Sequence, residues 1–150
     1  MTLDPAKLIV CLTAKQECLT LLRALGLQQR LLIEAGEMTN LLQLLAEKQR
    51  TILRLQEVER ELDPFRNDDP DRRAWPSQAS RLECAALAER CERLLADVLD
   101  CEKTCEEELR RRRDETAREL TAVNTAGAVH GAYVTESHGT SSMLDLSADY

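Results

Sequence analysis

Six cysteines and two histidines are the residues here with the widest chemical repertoire. Cys101 and Cys105 lie one helical turn apart, which places both thiols on one face. Cys11 and Cys18, and likewise Cys84 and Cys91, sit seven apart on a single stripe. Zinc and cluster sites begin with ligands two to four residues apart and recruit a second close pair. One such pair is present, and every cysteine coincides with a position in an apolar helical stripe. Cysteine acting as a small core hydrophobe accounts for all six, so no metal is expected. His130 and His138 fall in a C-terminal stretch rich in glycine, serine and threonine, where no ordered Cys–His or Ser–His pair can be assembled. Glycine-rich phosphate loops are absent, and the carboxylates alternate with arginines along helix faces rather than lining an apolar pocket. The expectation is a protein that is not an enzyme and carries no cofactor.

Any function must then come from surfaces, and the elements that present them are legible from composition. The chain of 150 residues has room for one domain and contains 26 leucines but four aromatics, Phe65, Trp75, Tyr133 and Tyr150. A core of Leu, Ala, Val and Cys suits helices packed side by side in a thin bundle. A net charge of −7 argues against nucleic acid or an anionic membrane surface as partner. No run approaches the roughly 20 apolar residues that span a bilayer, and Met1 to Val10 carries no signal peptide. A cytoplasmic protein with reduced thiols is expected.

Periodicity predicts three helices, at about 5–35, 37–62 and 78–126, and hence an all-α, elongated, antiparallel three-helix coiled-coil bundle. Asp4-Pro5 supplies an N-cap acceptor and a proline at the first helical position. Gly26 interrupts the first helix and offers a bend, and Ala35-Gly36 ends it. The second helix carries a heptad-like seam from Met38 to Leu62, broken by Lys48 and Glu59, and Asp63-Pro64 stops it. A loop over 63–77 holds three of the four prolines, with Phe65 and Trp75 near its ends to plug the bundle. The third helix begins at a capping box, Ser80-Arg81-Leu82-Glu83, and runs its seam through Cys84, Leu87, Cys91, Leu94, Val98, Cys101 and Cys105. The run Glu106 to Arg113 contains three i,i+4 acid–arginine pairs (Glu106–Arg110, Glu107–Arg111, Glu108–Arg112), the pattern of a solvated, self-paired helix. From Gly127 the composition changes, and 127–150 reads as a disordered acidic tail with one apolar cluster, Met143-Leu144-Asp145-Leu146.

The third helix, longer than the second, either bends or leaves its second half partly uncovered. An amphipathic helix from a partner would complete a four-helix arrangement there. The alternative is a structural coiled-coil protein that self-assembles through the same groove.

Two stretches carry a family likeness: Gln29-Arg30-Leu31-Leu32-Ile33-Glu34-Ala35-Gly36-Glu37, then Leu41-Leu42, Leu45 and Glu47-Lys48-Gln49. With the Arg/Glu-rich end of the third helix and the loose tail, this layout resembles the FlgN-type flagellar export chaperones over roughly residues 15–133, with Glu37 where that family often has Asp. The resemblance implies a cytosolic type III secretion chaperone that masks amphipathic helices of unassembled hook-associated (hook–filament junction) proteins before export. It implies a monomer or weak dimer that also meets the export gate, without nucleic acid or membrane insertion. It places the partner grip on the third helix at Leu94, Leu95, Val98, Leu99 and Leu109, and makes Tyr133 the candidate export-gate contact, with Tyr150 as the other tail tyrosine.

Overall fold

A computed structural model describes residues 3–138. It contains α1 (Pro5–Ala35), α2 (Met38–Arg66), a short 3₁₀ turn (Pro70–Arg72) and α3 (Gln78–His138), with no strand among the described residues. The chain divides after Glu106 into two compact units. The first is an antiparallel three-helix bundle of α1, α2 and the beginning of α3. The second is built on the rest of α3.

Local chemistry sets the helix ends. The Asp4 side chain accepts a hydrogen bond from the Ala6 amide at 3.0 Å, and Pro5 occupies the first turn, where a missing N–H costs nothing. Gly36 adopts φ 71°, the left-handed conformation that a Cβ would strain. Its amide donates to the Ile33 carbonyl at 3.1 Å, and the Glu37 amide donates to Leu32 at 3.0 Å, so carbonyls left over at the end of α1 are satisfied. The turn into α2 is therefore only two residues long, Gly36 and Glu37.

Two other boundaries lie away from their sequence-based positions. Pro64 sits inside α2, which ends at Arg66 instead of stopping at Asp63. That extra turn buries Phe65 against Leu8, Leu62 and Cys84, and burial of a large ring outweighs one lost backbone hydrogen bond. α3 begins at Gln78, ahead of the expected capping box. Ser77 is the residue that caps it, its hydroxyl accepting from the Ser80 amide at 3.1 Å. At the other end α3 continues through Gly127 and Gly131 to His138, twelve residues past Ala126. Each glycine costs about 1 kcal/mol relative to alanine in a helix but does not forbid it, and Ala122, Ala126, Ala128 and Ala132 are strong helix formers. The remainder of the expected tail, 139–150, with Met143-Leu144-Asp145-Leu146 and Tyr150, lies outside the described residues.

Cross-helix contacts give the register of the bundle. Along α1 and α2 the partners step in opposite directions: Cys11 with Glu61, Lys15 with Glu59, Gln29 with Lys48. Along α1 and α3 they step together, because Leu12 with Cys91 and Gly26 with Cys105 are both separated by 79 residues. The core has one cluster around Leu8, Leu12, Leu62, Phe65 and Leu87, with Trp75 packed on it. A second cluster joins Leu19, Leu22, Cys91 and Val98. Phe65, from the last turn of α2, and Trp75, from the loop, thus close one end of the bundle. Gly26 does not interrupt α1, which runs as one helix from Pro5 to Ala35. It lies against α3, and a Cβ there would stand 3.0 Å from the Cys101 thiol.

Candidate partner-binding surface

The face of α3 that turns inward within the bundle carries Cys84, Leu87, Cys91, Val98 and Cys105, all buried. This assigns the five candidate grip residues to different roles. Val98 is 8% exposed and belongs to the core, with Leu94 packed against the same cluster. Val98 cannot meet a partner without opening the bundle, whereas Leu94 is half-buried and keeps part of its surface in the open. Leu95 and Leu99 point outward, Leu99 with 58% of its surface exposed. Leu109, in the second unit, is half-buried.

The second unit presents a surface that the glycines had concealed. No described side chain in it is buried, and every residue from Arg113 to His130 is exposed. From Leu120 to Thr135 there are sixteen residues without a Lys, Arg, Asp or Glu. Leu120, Val123, Gly127, His130 and Val134 follow one another by threes and fours, so they share one face of the helix. Val129 and Tyr133 lie beside that row, with Tyr133 69% exposed. The absence of charge over sixteen residues was the available signal, and a composition read as loop-forming masked it.

Immediately before this run the surface is strongly charged and self-paired. Glu108 accepts from Arg112 at 3.1 Å and from Arg111 at 2.6 Å, and Arg111 also meets Glu115 at 2.7 Å. Arg111 therefore turns to Glu108 and Glu115, where the i,i+4 pattern had assigned it to Glu107. The hydrogen bond from Arg111 leads the effects that hold the Glu108 carboxyl below the ordinary range. These arginines are occupied with neighbouring acids, whereas the uncharged row stays exposed from Leu120 to His130 among the described residues.

A polar cluster inside the bundle joins all three helices. Lys48 of α2, 6% exposed, donates from Nζ to Gln29 Oε1 of α1 at 2.9 Å and is ion-paired with Glu102 of α3. Burial lowers the Lys48 pKa, and the nearby thiols Cys105 and Cys101 act in the opposite direction. What reads in the sequence as a break in the α2 seam is a buried ammonium with a partner on each neighbouring helix. Such groups fix register, because sliding a helix by one turn would leave the charge unpaired. Glu59, the other break, is paired with Lys15 at 2.8 Å and with Arg66.

Burial raises the pKa of Cys11, Cys18, Cys84 and Cys91, and burial with the adjacent Cys101 thiol raises Cys105 to about 11. These thiols stay protonated and act as packing groups. Among the described residues no three His, Cys, Asp or Glu side chains gather closely enough to hold a metal ion, and no helix is long and apolar enough to cross a membrane. No family model, curated protein or solved structure matches the chain.

Proposed function

We propose that this protein is a helix-binding chaperone of the flagellar type III secretion kind. Its clients would be amphipathic segments of unassembled hook–filament junction proteins, held in the cytoplasm before export. The observation that carries the binding reading is the uncharged row Leu120–Val123–Gly127–His130–Val134, exposed as far as His130 and half-buried at Val134, in a unit with no buried side chain among its described residues. Most helical stability in proteins comes from packing an apolar face, and among the described residues of the unit none covers this face from Leu120 to His130. A client helix laid along it by i, i+3 and i+4 anchors would supply that cover. The flagellar assignment rests on the resemblance of residues 29–49 and of the Arg/Glu-rich stretch of α3 to FlgN-type chaperones. Leu95 and Leu99 are a second outward apolar pair open to a client, and Tyr133 is exposed, which suits the gate contact that the resemblance implies.

Co-expression with hook–filament junction proteins tests the reading. A one-to-one complex is expected that Val123→Asp weakens at least tenfold. Failure to form any complex, or export unchanged by Val123→Asp and Leu99→Asp, rejects it. Light scattering separates the self-assembling alternative, in which the chain forms a tight dimer and ignores such clients.

A further inference from the structure

We infer that the closed end of the bundle holds a binding site for a small amphipathic carboxylate. A cavity of about 360 Å³ lies there, within the range of roughly 300–1,000 Å³ typical of small-molecule pockets. Leu12, Leu62, Phe65 and Trp75 form its apolar floor. Four cations, Lys15, Arg66, Arg73 and Arg81, also line it, and no carboxylate does. The acids paired with these cations are not among the lining residues. Lys15 and Arg66 engage Glu59, Arg66 also engages Asp63, and Arg73 is fixed by Asp68 at 3.4 Å and by the Phe65 carbonyl at 2.9 Å. Arg81 is held least. Its nearest contact with an acid is Asp71 at 3.8 Å, beyond hydrogen-bond reach, and Asp71 is 86% exposed.

The lining therefore has the polarity of a carboxylate with an apolar body. The chain of the ligand would cover the Leu–Phe–Trp floor, and its head would draw a bidentate contact from the Arg81 guanidinium at the edge. Cationic donors on the lining, with their acids outside it and Arg81 the most weakly held, favour an anion over a neutral molecule of the same shape. The site is separate from the helix-binding surface proposed above, and neither depends on the other.

Trp75 is the sole tryptophan of the chain, so it reports on the cavity directly. Decanoate should shift its emission in a saturable manner, and decanol of the same length should bind at least tenfold more weakly. Arg81→Glu should weaken decanoate about tenfold or more, the usual cost of losing one charge-assisted hydrogen bond, and leave decanol unaffected. Ala85→Leu, a change at an exposed position that lines the cavity, should weaken both. Equilibrium dialysis with radiolabelled decanoate provides a readout independent of the fluorophore. Absence of saturable binding by dialysis overturns the inference. Equal affinity for decanol, or decanoate binding untouched by Arg81→Glu and Ala85→Leu in variants with native circular dichroism, overturns it equally.

Discussion

Gly26→Ala would be expected to stabilise an ordinary exposed helix by about 1 kcal/mol, since alanine loses less backbone freedom. In this bundle the sign reverses. The new methyl carbon would stand 3.0 Å from Cys101 Sγ, well inside the contact distance of carbon and sulfur, where overpacking costs about 1–3 kcal/mol. The net change expected for Gly26→Ala is a loss of about 0–2 kcal/mol. Cys101→Ala removes the obstructing sulfur, so the double variant should recover the helix gain. The two substitutions should couple by about 1–3 kcal/mol, far above the roughly 0.5 kcal/mol scatter of independent sites. Urea unfolding followed by circular dichroism, on the parent, both single variants and the double, measures the cycle. Additivity within that scatter, or a Gly26→Ala variant stabilised by the full alanine increment, would refute close packing of α3 on Gly26.

Removing Glu102 with Glu102→Gln should cost about 1–3 kcal/mol, because the Lys48 ammonium stays buried with only Gln29 beside it; Lys48→Met should be near neutral in the same urea assay. Stability should fall as pH climbs from about 9 toward 11. The buried thiols, ordinarily near 9.0 and raised in the fold, keep protons that the unfolded chain releases, so their contribution is complete below pH 9 and lost as pH rises through the folded values. Lys48, lowered by burial, works the other way as pH approaches 10.5, but one lysine opposes five thiols. Urea midpoints at pH 8 and 10.5 measure the difference. Under native conditions a thiol reagent should label Cys101 first, the one cysteine of six that is not buried, with the others following at the rate of bundle opening. Val98→Asp should cost about 3 kcal/mol or more and reduce melting temperature sharply, whereas Leu99→Asp should change stability by less than about 0.5 kcal/mol.

The features legible in the sequence are those decided locally. Asp4-Pro5 and Gly36 act through their own dihedrals and nearest amides, and the apolar stripes of α1, α2 and α3 depend only on spacing. The features that escaped are decided by distant residues. Pro64 reads as a stop until Phe65 finds Leu8 and Cys84 from two other helices. Gly26 reads as a bend until Cys101 arrives beside it. Lys48 reads as a defect until Gln29 and Glu102 are placed around it. For the candidate surface, the sequence distinguished apolar from polar residues on α3 but not which apolar ones the bundle consumes, so Val98 and Leu95 looked alike. Gly127 and Gly131 weigh against a helix individually, and the alanines around them decide the matter together.

The parallel course of α1 and α3 has a consequence for synthesis. The α1–α2 hairpin closes through Gly36 and Glu37 and can form as soon as both helices leave the ribosome. Its third side must wait, because Leu12 and Gly26 each meet a residue made 79 positions later. At ~5–20 residues per second that delay is ~4–16 s, during which Leu12, Leu19 and Leu22 face a gap. For those seconds the nascent chain is itself an exposed apolar helix pair, in need of the kind of cover it is proposed to give to others.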